Sequence, residues 1–149
     1  MLRAMNKKDL KQIVAIDAIC FPIPWNEKQY LYELKENDYA FLYVLELEGI
    51  IIGYVDYWIT FDICQLAKIA VLPQYRNQHY AHQLMDQMIL DASLKGCESI
   101  SLEVRISNQS AQKLYASYEF INVNIRKNYY QDNGEDAYVL VKALGGNCE

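Results

Sequence analysis

The chain holds only two histidines, His79 and His82, three residues apart, so a serine or cysteine triad with a separate histidine base has nothing to build on. No cysteine or carboxylate neighbour completes a metal site around them, and none is expected. The glycine pattern of a P-loop is missing, as is the dinucleotide fingerprint. Hydride transfer and nucleoside triphosphate hydrolysis lose ground with them. No basic block exceeds Lys7-Lys8 or Arg126-Lys127 and the net charge is −5, so no general affinity for nucleic acid is expected. Even Phe41 to Ile59 is interrupted by Glu46, Glu48 and Asp56, short of the roughly 18 apolar residues a membrane span needs. The first residues, Met-Leu-Arg-Ala-Met-Asn-Lys-Lys-Asp, contain no apolar signal core, and a cytoplasmic protein is the expectation. Cys20, Cys64, Cys97 and Cys148 are scattered and read as reduced thiols.

What the chain does carry is a core. Its 149 residues, 52% hydrophobic, fit one domain, residues 1–149, without help from metals or disulfides. Leu10, Ile13, Val14, Ala18 and Phe21 recur at helical spacing, and Pro22 and Pro24 stop that helix. Trp25-Asn26-Glu27 starts a second helix with Asn26 as its cap. Ala40 to Leu47 reads as a strand, Glu48-Gly49 as a tight turn, Ile50 to Thr60 as its antiparallel partner, and Ile63 to Val71 as a third strand. Ala81, Leu84, Met85, Met88, Ile89 and Ala92 form an apolar helix stripe that stops near Lys95-Gly96. Ser99 to Val104 alternates, with Ile100, Leu102 and Val104 to one side and Ser101 and Glu103 to the other, so Glu103 leaves the core side. Asn108 precedes Ala111, Leu114, Tyr115 and Tyr118 on a further helix, and Asp132-Asn133-Gly134 signals a final hairpin. The thirteen tyrosines read as strand and core edges. The expected fold class is α/β (α+β), a mixed, mostly antiparallel sheet with helices on both faces.

Ile69 to Ala81 runs Ile-Ala-Val-Leu-Pro-Gln-Tyr-Arg-Asn-Gln-His-Tyr-Ala and opens into the long helix. A strand that breaks at a proline and turns through short polar residues into a helix start leaves several N–H groups unpaired and pointing one way. With the positive end of the helix dipole behind them, they suit a phosphate or pyrophosphate. Glu103 stands at the end of the next strand and Tyr115 one helix later, so base, acid and anion cradle can converge.

Leu102-Glu103-Val104-Arg105, Ser107-Asn108, Leu114-Tyr115, Phe120, Arg126-Lys127-Asn128-Tyr129-Tyr130 and Gly134-Glu135-Asp136-Ala137 follow in order. Together with the turn they resemble the GNAT family of N-acetyltransferases over nearly the whole chain, and within it the bacterial ribosomal-protein N-terminal alanine acetyltransferases. The resemblance implies a GNAT fold with a parallel strand pair splayed at the cofactor site, and acetyl-coenzyme A (acetyl-CoA) as co-substrate. It matches Glu103 to the family base, acting through water, and Tyr115 to the acid that protonates the coenzyme A sulfur. Ile69, Ala70 and Val71 match the strand edge that pairs with the pantetheine arm, the Val71 amide helping to polarise the thioester carbonyl. Arg76, Asn77, Gln78, His79, Tyr80, Ala81 and His82 match the pyrophosphate cradle. Asn108 matches a side chain that bonds the cofactor, and it can also cap its helix. Phe21, Tyr129 and Tyr130 resemble the walls that hold the acceptor peptide. The implied partner is a protein N-terminus, the alanine of protein eighteen of the small ribosomal subunit, taken by a monomer or weak homodimer.

Two positions depart from the family pattern. His79 stands where the turn's first glycine belongs, and Glu119 where a glycine precedes the phenylalanine. A negative φ at His79 makes that change harmless, because the donors are backbone amides. A left-handed Glu119 costs roughly 1 kcal/mol.

An α-amine with a pKa near 8 is roughly 10% neutral at pH 7, a lysine amine below about 0.1%. An N-terminal acceptor therefore asks less of one carboxylate base. Two other readings stay open. One is an acetyltransferase of the same fold for a small amine such as a polyamine or aminoglycoside, compatible with the net charge of −5. The other is a non-catalytic module that binds acyl-coenzyme A or a ribosomal partner, suggested by the two lost glycines.

Overall fold

A computed structural model describes residues 1–145 of the chain, so Cys148 lies outside the described residues. The strands are β1 (Leu2–Ala4), β2 (Ala40–Leu47), β3 (Ile50–Thr60), β4 (Ile63–Val71), β5 (Ser99–Arg105), β6 (Ile121–Arg126) and β7 (Ala137–Ala143). The helices are α1 (Leu10–Cys20), α2 (Glu27–Lys35), α3 (Tyr80–Leu94) and α4 (Gln109–Ser117). The sheet runs β1-β2-β3-β4-β5-β7-β6, and every neighbouring pair is antiparallel except β4 and β5.

Local signals set these elements. Asn26 caps α2 in a reciprocal box, its side chain accepting from the Gln29 amide at 2.9 Å while Gln29 accepts from the Asn26 amide at 2.9 Å. Gly96, with φ +79°, lets the chain leave α3. β1 carries no readable period because it has three residues; it is a strand because Leu2 to Ala4 pair with Leu45 to Tyr43 of β2.

Alternation along the strands divides the core into two layers. Leu45, Ile52, Tyr57, Cys64, Leu66, Ile100, Leu102 and Val104 pack with Leu84, Met85, Met88 and Ala92 of α3 and with Tyr115 of α4. Leu42, Val44, Ile51, Tyr54 and Ala70 meet Leu10, Ile13 and Ile16 of α1 and Tyr30 of α2 on the opposite face. The α1 stripe differs from its sequence reading at one point. Ala18 is exposed, while Asp17 is fully buried.

The final hairpin also differs. Gly134 does turn the chain, with φ +73° and its N–H donating to the Tyr130 carbonyl at 2.8 Å. The strands it was expected to join, however, stop at Arg126 and resume at Ala137. One further backbone bond, from the Tyr130 N–H to the Glu135 carbonyl at 3.1 Å, spans the loop there, and side chains supply the other ties. Asp136 accepts from the Asn128 amide at 2.8 Å, and Asp132 and Glu135 bind Arg105.

Candidate active site

The parallel pair is short. Ile63, Cys64 and Gln65 pair with Ser99, Ile100 and Ser101, and beyond them β4 and β5 part. Leu72 donates its N–H to Ile52 of β3, so the antiparallel alternation turns the peptide groups of Val71 and Ile69 toward the gap. Ala70 falls between them in register, and its own peptide groups turn to β3. Of the three edge residues named from the sequence, two therefore face the opening. The Val71 carbonyl is already engaged by Arg76 Nε at 3.0 Å.

At the end of β4 the chain passes through Pro73–Tyr75 and two left-handed residues, Asn77 at φ +61° and His79 at φ +65°, before α3 begins. The positive φ at His79 removes the condition under which its substitution is harmless; a left-handed L-residue costs about 1 kcal/mol. The amides of Asn77, Gln78 and His79 find no acceptor among the described residues, and the first amides of α3 have no intrahelical partner. The Arg76 amide does not join them, because it donates to the Pro73 carbonyl at 3.2 Å. The Arg76 side chain turns back to Val71 and to Cys20 Sγ. Two parted edges and a row of unpaired amides at a helix start fit a pantetheine arm and its diphosphate. The His82 ring packs against His79 at 5.1 Å and Tyr118 at 5.5 Å, and its buried Nδ1 has no partner. No cluster of three or more histidine, cysteine, aspartate or glutamate side chains able to hold a metal ion occurs among the described residues.

Glu103 sits just past the parting point, on the face that α1 and α2 cover. Gln65 Nε2 donates to its Oε1 at 3.1 Å, and the Ser101 hydroxyl donates to Gln65 Oε1 at 2.7 Å, which fixes the Gln65 amide with its NH₂ toward the carboxylate. Arg126 Nε lies 3.3 Å from Glu103 Oε2. Across from it, Tyr130 stacks under the Arg105 guanidinium at 3.9 Å and meets Tyr129 edge-on at 5.1 Å. Burial pushes the Tyr130 hydroxyl up to about 12, against the pull of Arg105. Tyr130 feels the charge of Glu103 and adds to the upward push on Tyr115.

Tyr115 is buried and packs on Phe120 at 5.8 Å. Burial raises its pKa, so the phenol keeps its proton at neutral pH. No described group hydrogen-bonds that hydroxyl. Gln112 Nε2 donates to the Arg105 and Ile106 carbonyls at 3.0 and 2.9 Å, tying α4 to the end of β5. Asn108 caps α4 by accepting from the Ala111 amide at 3.2 Å. Glu119 takes φ +69°, the left-handed residue that closes the helix.

Phe21 begins the loop between α1 and α2. Lys68 Nζ lies 4.3 Å from its ring centroid and 4.6 Å from that of Trp25, and bonds Asp17 at 2.7 Å. Asp17 also accepts from the Trp25 amide and from the Tyr30 and Tyr54 hydroxyls. This buried knot holds Phe21 over the face that carries Glu103. Sequence reasoning missed Gln65, Ser101, Lys68 and Arg126. A signal existed for two of them: Gln65 and Lys68 are polar interruptions in an otherwise apolar strand.

Residues 10–120 match the family model described as the acetyltransferase (GNAT) family. A Bacillus subtilis protein described as a candidate ribosomal protein bS18-alanine N-acetyltransferase is 39% identical over 139 residues, 93% of this chain and 92% of the relative. An N-alpha-acetyltransferase of Saccharolobus solfataricus is 34% identical, covering 96% of this chain and 92% of its own. The crystal structure of the ribosomal-protein-S18-alanine N-acetyltransferase from Escherichia coli superposes with a TM-score of 0.86 at 28% identity, over 96% of this chain and 92% of that one.

Proposed function

The chain belongs to the acetyltransferase (GNAT) family and is an N-acetyltransferase, and from that premise we propose that it acetylates the N-terminal α-amine of a protein, a ribosomal protein beginning with alanine. The observation that carries this reading is the position of Glu103. It is a carboxylate just past the point where β4 and β5 part, facing away from the α3 core, with Arg126 between it and the Tyr129 ring. Relatives named for α-amine acetylation support the acceptor class.

Acetyl-CoA supplies the acyl group as a thioester. In this reading the amides of residues 77–82 bind its diphosphate, and the gap-facing peptide groups of Ile69 and Val71 orient the arm. Glu103 takes the proton of the attacking amine, directly or through one water, with Gln65 holding the carboxylate in line. Tyr115, protonated and without a competing partner, gives its proton to the departing sulfur. Phe21, Tyr129 and Tyr130 flank the acceptor. An α-amine, roughly 10% neutral at pH 7, suits a site with one carboxylate base.

The test is a panel of N-terminal peptides, lysine peptides and polyamines incubated with labelled acetyl-CoA, with the products located by mass spectrometry. Label on the α-nitrogen of alanine-led peptides is expected, together with a strong loss of turnover in Glu103→Gln at intact acetyl-CoA binding. Label confined to side-chain or small-molecule amines, or full turnover by Glu103→Gln, overturns the reading.

A further inference from the structure

Two arginines flank the Glu103 site and are held very differently. Arg105 is locked: its side chain is 17% exposed, pairs with Asp132 at 3.1 Å and Glu135 at 3.4 Å, and lies on Tyr130. Arg126 is a long arm on the outermost strand β6, its side chain 53% exposed, and among the described residues Glu103 is the only carboxylate it pairs with. The carboxylate is asymmetric as a result. Oε1 is committed to Gln65, while Oε2 faces a cation that can leave.

A primary amine reaches a protein at neutral pH chiefly as its ammonium ion, and it needs an anion where it is to lose its proton. The guanidinium of Arg126 stands at that anion. The arginine end of the pair is half-exposed to water, which weakens it, so an incoming ammonium can replace it. Tyr129 lies under the same guanidinium, 5.6 Å from its carbon, so this cation sits between Glu103 and one of the proposed acceptor walls.

We propose that Arg126 fills the acceptor's ammonium subsite in the free protein and that the incoming α-ammonium displaces it from Glu103 Oε2. The proposal rests on the reading of Glu103 as the group that receives the acceptor amine. Arg126 then sets acceptor affinity, as an internal competitor, and is absent from the reacting arrangement. It also screens the carboxylate from stray cations until the acceptor amine arrives.

The experiment is steady-state kinetics of the full chain with acetyl-CoA and an alanine-led peptide lacking charged side chains, comparing wild type with Arg126→Met, Arg126→Gln and Arg126→Lys. Loss of the cation in Met and Gln is expected to lower the peptide KM by roughly two- to fivefold. The change in kcat is smaller than that gain, the acetyl-CoA KM is unchanged, and Arg126→Lys restores the wild-type KM. In a Glu103→Gln background, calorimetry with the same peptide should show no tightening on Arg126→Met. A peptide KM that stays or rises in both neutral variants, or a kcat loss larger than the gain in KM, overturns the proposal. Wild-type turnover by Glu103→Gln removes the underlying reading instead, so the two failures are distinct.

Discussion

Replacing Asp56 by asparagine tests the acid buried beneath the acceptor face. Asp56 lies on β3 with no exposed surface, and neither of its oxygens receives a hydrogen bond from a described group. Burial first, and the neighbouring Glu33 carboxyl second, push its pKa from 3.8 up to about 10, with Lys68 pulling weakly the other way. The folded value lies above the unfolded one, so folding above pH 3.8 takes up a proton. This contribution to stability is complete below that pH and is lost as the pH rises toward about 10. The slope is at most about 1.4 kcal/mol per pH unit, which puts the loss by pH 7 at about 4 kcal/mol as an upper bound. Asparagine has nearly the same shape and no proton to take up. Denaturant unfolding of both proteins from pH 5 to 8 should show the variant gaining on wild type. The gap is expected to widen from under about 2 kcal/mol at pH 5 to as much as about 4 at pH 7. Titrations of groups that do not interact with Asp56 are common to the two chains and cancel in the difference. Parallel stability curves would refute the reasoning, because Asp56 would then fold as the anion, with Lys68 as its counter-ion.

Tyr115→Phe removes a hydroxyl that no described group bonds, so unfolding free energy should move by less than about 1 kcal/mol while kcat falls roughly a hundredfold, the scale of a lost general acid; wild-type rates would return Tyr115 to the core alone. Gln65→Leu should lower kcat about tenfold at constant acetyl-CoA KM by freeing Glu103 Oε1, with Ser101→Ala acting in the same direction more weakly. An unchanged kcat in stopped assays of Gln65→Leu removes that residue from the alignment of Glu103. His79→Gly relieves about 1 kcal/mol of left-handed cost and adds a comparable unfolded-chain entropy, so calorimetry should show acetyl-CoA affinity nearly unchanged. His79→Pro cannot adopt φ +65° and lacks the amide. Binding should fail there, and intact affinity would take the loop out of the cradle.

The elements that position the site are legible in the sequence where period and punctuation agree. β2, β3 and β4 end where the turn residues Glu48-Gly49 and the proline Pro73 place them, and α3 spans its apolar stripe. The fate of the last loop is not legible. Asp132-Asn133-Gly134 carries a local hairpin signal, but whether flanking residues continue the ladder depends on Arg105, which draws Asp132 and Glu135 away from it. Asp17 is hidden for a similar reason. A carboxylate within an amphipathic stripe reads as solvated, and only the fold brings Lys68, Tyr30 and Tyr54 to it. The partners of Glu103 come from β4, β5 and β6, far apart in the chain, so no local pattern announces them.

The parting of β4 from β5 looks like a defect in the sheet, and its tolerance follows from how β5 is held on its other edge. All seven residues of β5 pair with β7, from Ser99 with Ala143 to Arg105 with Ala137, while only three pair with β4. Register in β5 is therefore set by β7, and the side chains follow from it. Ile100, Leu102 and Val104 go to the α3 layer, Ser101, Glu103 and Arg105 to the acceptor face. A slip of one residue against β7 would exchange these sets, burying Glu103 under α3 and exposing three core residues. The apolar core thus enforces the position of the carboxylate without touching it. The open edge of β4 is free to receive a ligand because the sheet does not depend on it for register.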